Sequence, residues 1–426
     1  MKYMRLNYIV TNLYYYFFCL LVILASGSLI AYRVGPNRID ILIVIMGLPL
    51  LMKAMGKKRD FSITTIMGLF FAIYFFINFL NYSATWVNLI RYISLLMIMF
   101  VFGLQVSRSN IKIHVFLYRI ILFIASYSLV LFLLISVLRL QIPFTNINPF
   151  DSITPYRSYS GVYYSLSAIN IGGTWILRNN SIFWEPGLYQ IFLNFALYAY
   201  LFLDISKKRK HLTIILLSIL STFSATGIIL ATMLVVYYII QKQSNTKKNI
   251  PLKLIISIIL LVAVTSVSGI ILSEKSQSSV QSFQSRTSDI ELGLMAFIQK
   301  PIIGHGYFNE DVFFSLQTRS NVYWHHERGN SNGLINLAYM QGLIGLIIYF
   351  FPLVYSKSFY RKRSDKIAFL MFFLISNMTA PLYQTAFMIL WVGLSYGSIF
   401  VHVSNKYDIP KRNVSTYKEI NNGNYI

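Results

Sequence analysis

Apolar runs of about 20 residues recur along the chain, separated by shorter polar or basic stretches, which is the spacing of membrane spans. The runs predict spans near 12–31, 39–55, 61–80, 86–104 and 113–138. A polar stretch, 139–182, interrupts the series, and a further span follows at 184–204. Residues 211–240 form one apolar block too long for a single span. The polar segment Thr222-Phe223-Ser224-Ala225-Thr226-Gly227 breaks it into a hairpin of two helices. A run at 251–272, a polar stretch at 273–332 and a span at 334–355 come next. A second double-length block, 366–403, is broken at 377–384 around Pro381. The pattern predicts an all-α polytopic membrane protein of about 12 transmembrane helices. It reads as one integral membrane domain over 1–426, carrying two large loops at 139–182 and 273–332.

Composition narrows the class. Mean hydropathy is +0.59, with 56% hydrophobic and 12% charged residues, which excludes an ordinary soluble domain. A net charge of +23 would suggest nucleic acid in a soluble chain. Here the bias of Lys and Arg toward cytoplasmic segments accounts for it, and no nucleic acid is expected. With both termini cytoplasmic, the inner segments carry more than twice as many Lys and Arg as the outer ones. That orientation puts both large loops outside and keeps both basic flanks of the 211–240 hairpin inside. Trp86, Trp184 and Trp324 then fall near the outer face, as interfacial aromatics should. Ala25-Ser26-Gly27-Ser28 resembles a weak cleavage site, but the apolar run continues past it, so the first span is read as uncleaved. The single Cys19 excludes a disulfide framework and a Cys-based metal site.

Chemistry is therefore sought in the outer loops. Arg178 through Gln190 crowds Arg178, Trp184, Glu185 and the pair Pro186-Gly187 into the start of a span. A Pro is tolerated there because the first helical turn has no N–H bond to lose. Glu185 either answers the helix dipole, or orients Arg178 or Arg286, or contacts a sugar hydroxyl. In the second loop, Ser288 and Glu291 form a capping-box pattern, and Ile290, Leu294, Phe297 and Ile298 form an apolar stripe. A helix is expected from there to Pro301, followed by a turn at Gly304-His305-Gly306. Arg286 would stand just before that helix, where an anion is favoured; the alternative is a solvated surface Arg. Glu310-Asp311 reads as a solvated turn. Neither loop contains an Asp-x-Asp pair, so no metal site is expected. Arg91 stands inside a span, where a charge usually faces a groove.

Three motifs in order resemble the bacterial O-antigen and capsular polysaccharide polymerases of the O-antigen ligase/polymerase superfamily. They are Arg178-x6-Glu185-Pro186-Gly187; Arg286, a short helix and Pro301-x-x-Gly304-x-Gly306; and Ser331-Asn332 followed by Gly342-Leu343-Ile344-Gly345. The Ser224-Ala225-Thr226-Gly227 turn is similar to the family's Ser-Arg-Thr-Gly turn. Ala225 replaces that Arg, and Ser331 stands where the family commonly has His.

The resemblance implies a GT-C-like glycosyltransferase that works without a cofactor or metal on the outer face of a bacterial inner membrane. A polyprenyl-diphosphate-linked glycan would be the donor, and the diphosphate would leave as an acceptor hydroxyl attacks the anomeric carbon. Arg178 and Arg286 are the expected diphosphate ligands, because the guanidinium fork binds phosphate bidentately. Ser331, Asn332, Trp184 and Trp324 would position the acceptor and sugars. With Ser331 a poor base, His325 and His326 are the expected proton acceptors; Glu185 is the fallback, and His305 carries less weight. Expected partners are the lipid-linked glycan and membrane lipid, with a chain-length regulator as a candidate. Polymerisation of repeat units is the leading function. Transfer to a lipid A core is the first alternative and transport the second.

Overall fold

The computed structural model describes residues 2–81, 86–147, 156–171, 173–243, 280–319, 329–356 and 362–407. The expected span at 251–272, His325, His326 and Trp324 lie outside the described residues. So does the side chain of Arg286.

Five described helices are long and apolar enough to cross a membrane: Lys58–Leu80, Ile90–Arg108, Ile113–Val137, Gly333–Tyr355 and Ala386–Ser404. Two shorter apolar helices, Val10–Ala25 and Ala225–Gln241, accompany them. The chain thus has the mark of a polytopic membrane protein. The helices in order are α1 (Lys2–Ala25), α2 (Leu29–Val34), α3 (Pro36–Met55), α4 (Lys58–Asn81), α5 (Trp86–Arg108) and α6 (Ile113–Phe132). After a four-stranded sheet come α7 (Pro186–Phe202), α8 (Arg209–Ser221), α9 (Ala225–Gln243), α10 (Val280–Gln299), α11 (Asp311–Arg319), α12 (Gly333–Tyr355), α13 (Arg363–Thr379) and α14 (Ala386–Tyr407).

Both double-length blocks break where the polar punctuation predicts. The hairpin turns between α8 and α9 at Thr222–Ser224, and the second block turns between α13 and α14 through a short 3-10 turn, Leu382–Gln384. The first expected span is different. Helix α1 stops at Ala25, Gly27 takes φ +94, and Ser28 forms a bridge with Phe183 before α2 begins. A Cβ on Gly27 would lie 2.5 Å from Leu188 and 3.4 Å from the Trp184 indole. The break therefore admits the start of α7.

The helical core is packed tightly enough to bring backbones into contact. Gly393 and Gly397, one turn apart on α14, face Gly103 on α5; a Cβ on Gly103 would stand 2.5 Å from the Gly393 carbonyl. Small residues at that spacing let membrane helices approach closely. Helix α7 is buried on almost every side among α6, α8, α9 and α13. Its ring of apolar residues suits a central helix rather than an amphipathic one.

The all-α expectation is corrected in the loop expected at 139–182. Thr145–Ile147 (β1), Tyr156–Tyr159 (β2), Tyr164–Ile171 (β3) and Thr174–Ser181 (β4) form an antiparallel meander in the order β1-β2-β3-β4. Strands β3 and β4 pair from Ile171↔Thr174 to Ser165↔Ser181, with a bulge between Ser165 and Leu166. Arg178 thus belongs to the last strand, seven residues before the N-cap of α7.

Candidate functional site

The first cluster forms where β4 meets α7 and the α8–α9 hairpin. Asn179 ties them together. Its Oδ1 accepts from the Ser128 hydroxyl (2.8 Å), the Tyr164 hydroxyl (3.0 Å) and the Ser181 N–H (3.0 Å). Its Nδ2 donates to Ser221 Oγ at 3.0 Å. A buried amide with both ends engaged fixes the strand against α6 and α8. Beside it, Arg178 Nε donates to the carbonyl of Thr222 at 3.0 Å. Thr222 is the C-cap of α8, so this guanidinium meets the negative end of a helix as it closes the hairpin break. On the far side of the break, Gly227 packs against Gln190 so closely that a Cβ would lie 2.8 Å from the Gln190 Cβ. Asn194 Nδ2 donates to the Gly227 carbonyl (3.1 Å) and to Gln190 Oε1 (2.9 Å).

Glu185 is the N-cap of α7 in an extended conformation, with Pro186 as the first helical residue. Its side chain makes no capping hydrogen bond. Instead the carboxylate curls over the first turn, 3.4 Å from where a Cβ on Gly187 would be. Glu185 and Arg178 both act on Tyr156. Burial first, then the Glu185 carboxylate, push the Tyr156 hydroxyl pKa up, while Arg178 pulls it down. A cation, an anion and a phenol therefore share one neighbourhood at the mouth of α7. Trp184 is half-buried with its indole against Gly27, and its carbonyl accepts from Asn180 Nδ2 at 3.3 Å.

The second cluster joins α10 and the turn after it to α12. The helix α10 begins at Val280, so Arg286 lies within it, and the expected start at Ser288 is corrected. The helix ends at Gln299 just ahead of Pro301, as the sequence predicts. Helix α12 is kinked at Gly342, with φ +64 and ψ −167, a conformation essentially restricted to glycine. The Pro301-x-x-Gly304-x-Gly306 loop fills the gap. Leu343 N–H donates to the Pro301 carbonyl (2.8 Å) and Ile344 N–H to that of Ile302 (3.2 Å). In return His305 N–H and Gly306 N–H donate to Tyr339 and Met340, each at 2.9 Å. The backbone groups freed by the kink are thereby satisfied. A Cβ on Gly304 would lie 2.4 Å from the Met340 carbonyl, and one on Gly342 2.3 Å from that of Ile302. The glycines of both motifs are what lets the two backbones touch.

His305 is buried in this seam. Its Nε2 lies 2.8 Å from the Ala296 carbonyl, which can only accept, so that nitrogen carries the hydrogen. Burial lowers its pKa despite that bond, and Lys300 lowers it further. His305 is thus a neutral pin in the loop.

Asp289, to which the sequence alone assigns no role, decides how Ser331 is held. Its buried carboxylate Oδ2 accepts from the Ser331 N–H at 2.9 Å and from the Ser331 hydroxyl at 2.5 Å. Asn330 Nδ2 donates to the Asp289 carbonyl at 2.6 Å. Asn332 is the N-cap of α12; its Oδ1 accepts from Leu334 N–H (3.1 Å) and Ile335 N–H (3.3 Å). Glu310, read from sequence as a solvated turn, lays its carboxylate against Gly329, where a Cβ would stand 3.0 Å from its carbon and both oxygens. Burial of that carboxylate, then the neighbouring Asp311, raise its pKa. A half-exposed hydroxyl and two acidic side chains therefore gather at the start of α12.

Residues 212–350 match the O-antigen ligase family model. That match agrees with membership of the ligase/polymerase superfamily. It takes in the hairpin, the 273–332 stretch and most of the kinked α12. The sheet and the Arg178–Gln190 segment precede it, and Arg178 joins the two through Thr222. No curated protein and no solved structure matches the chain. Described contacts thus gather Arg178, Trp184 and Glu185 at one cluster, and Ser331 and Asn332 at another with Asp289. Arg91, expected to face a groove, is ion-paired with buried Asp40 of α3.

Proposed function

We propose that the chain joins polyprenyl-diphosphate-linked oligosaccharide repeat units into a surface polysaccharide, O-antigen or capsule, on the external face of a bacterial inner membrane. What supports the reading is the family match, combined with a motif segment that begins with a cation, Arg178, at a helix break. In the reaction, an acceptor hydroxyl oxygen bonds to the anomeric carbon as the bond from that carbon to the diphosphate oxygen breaks. Polyprenyl diphosphate leaves with the electron pair. The acceptor proton passes to a base, for which His325 and His326 are the proposed residues and Glu185 the fallback. Negative charge grows on the leaving diphosphate, and fixed cations in a site of low dielectric stabilise it. Arg178 and Arg286 are the proposed cations, with Ser331, Asn332, Trp184 and Trp324 proposed to position the acceptor and sugars. No metal is required, because the leaving group is already activated. Both termini would be cytoplasmic.

A second reading, glycan transfer to a lipid A core, is favoured by the description of the matched family as an O-antigen ligase. Deletion of the gene followed by glycan analysis separates the two. Single-repeat glycan on the lipid core is expected for a lost polymerase. Unattached polymer on polyprenyl diphosphate would instead establish the ligase, and unchanged glycan would overturn both.

A further inference from the structure

A cavity of about 1060 Å³ opens between the end of α6, the sheet and the tip of the α8–α9 hairpin. Its walls are apolar: Ile135 at the end of α6, Leu177 of β4 and Phe223 from the tip of the α8–α9 hairpin. Two guanidiniums, Arg139 and Arg157, lie on its lining, both on exposed residues, and the described lining contains no carboxylate. Trp175, 62% exposed, adds an indole face. Arg157 stands 5.0 Å over the Phe144 ring, which holds its charge at the wall.

The chain goes out of its way to put Arg139 there. Helix α6 widens into a π-turn, Leu133–Val137, and closes with the Leu140 N–H on the Leu134 carbonyl at 3.0 Å. Arg139 occupies the left-handed position of that closure, φ +54. Glycine is the residue that position favours, and a side chain there is strained. Strain of this kind persists where something else is gained.

An apolar gut of ligand size with cations, and with no acid among its described lining residues, suits an anionic amphiphile. We propose that this cavity binds an isoprenoid phosphate, with its hydrocarbon on the apolar walls and its phosphate between Arg139 and Arg157. Resting on the polymerase reading, the cavity would hold a second lipid-linked substrate beside the one whose diphosphate meets Arg178. Joining two repeat units requires two such lipids at once.

Native mass spectrometry of the full-length protein, released from a neutral detergent, counts bound undecaprenyl phosphate. Parallel arms carry undecaprenol, inorganic phosphate and phosphatidylglycerol. Two copies are expected on the wild-type protein, and R139G and R157Q should each weaken one of them by roughly tenfold to a hundredfold, the worth of a charge-assisted hydrogen bond. R139G also relieves the left-handed strain, so its melting temperature should hold or rise, and lost binding would not reflect unfolding. One copy, lost in R139G and R157Q, would support the cavity while overturning the second site at Arg178. The cavity proposal is overturned if both variants bind as the wild type does. It is equally overturned if undecaprenol, inorganic phosphate or phosphatidylglycerol binds the cavity as tightly.

Discussion

The bond between Asp289 and Ser331 gives the sharpest test of how the second loop is held. Asp289 is buried, and its Oδ2 receives two donors from one residue 42 positions later. A hydrogen bond to a charged group contributes about 1.5–3 kcal/mol, and a donor left unsatisfied costs a similar amount. Ser331 is half-exposed, so water can rescue part of the loss. Asp289→Ala should therefore destabilise by roughly 2–4 kcal/mol. Ser331→Ala removes only the hydroxyl bond and should cost roughly 1.5–3 kcal/mol. The double variant should cost little more than Asp289→Ala alone, because the bond lost in Ser331→Ala is already gone. The coupling energy of that cycle is then about 1–3 kcal/mol. Urea unfolding of the purified protein in detergent measures the stabilities, and polymer length in a deletion strain measures activity. If the two single costs add to within about 0.5 kcal/mol, the pairing is absent and Ser331 is held by something else.

Arg178→Ala, made at normal levels, should slow polymerisation by roughly 10²–10³, the worth of a preorganised charge clamp, and Lys should rescue poorly because it lacks the fork; full polymer from Arg178→Ala would end the clamp idea. Gly342→Ala should destabilise by more than the roughly 1–3 kcal/mol of its backbone conformation alone, since the new Cβ meets the Ile302 carbonyl, and normal folding of that variant would show that the seam can yield. His305 has a pKa lowered below 6.5, so the unfolded chain binds more protons than the folded one as pH falls below about 6.5, and stability is lost in that direction. His305→Gln keeps a donor for the Ala296 carbonyl and should flatten that part of the pH–stability profile, as followed by thermal melts from pH 5 to 7.5. A double His325/His326→Ala variant should abolish polymer; if it is active while Ser331→Ala is dead, Glu185 becomes the leading base.

What the sequence made legible was punctuation. The breaks at Thr222–Ser224 and at Pro381 interrupt long apolar blocks with polar and ring-bearing residues, and no tertiary contact is needed to see them. The sheet was not legible because β3 buries Tyr164, Ser165, Leu166 and Ser167 in succession, against the loop on one face and the helices on the other. Without a one-sided core the alternation of period two is lost. At the first span, Ala25-Ser26-Gly27-Ser28 carried a real signal. It is a chain break shaped by Trp184 and Leu188, which lie more than 150 residues away. The capping pattern at Ser288 and Glu291 was local and was overridden, for α10 begins eight residues earlier. Asp289 could not be singled out, since its partner Ser331 is distant in sequence and the two meet only once α10 packs on α12. The Pro301-x-x-Gly304-x-Gly306 and Gly342 motifs were read as separate; the structure makes them two sides of one backbone seam.

That seam sets an order of events during synthesis. The 280–319 segment is synthesised ahead of α12, yet its carbonyls at Pro301 and Ile302 and its N–H groups at His305 and Gly306 take their partners from α12. Leu292, Ala296 and Phe313 likewise find their cover in Tyr339 and Met340. Until Gly333–Tyr355 is inserted, that segment holds an apolar stripe and a glycine turn whose partners on α12 are missing. A released chain truncated after residue 320 should be open to protease within 280–319, and the full-length chain should be protected there.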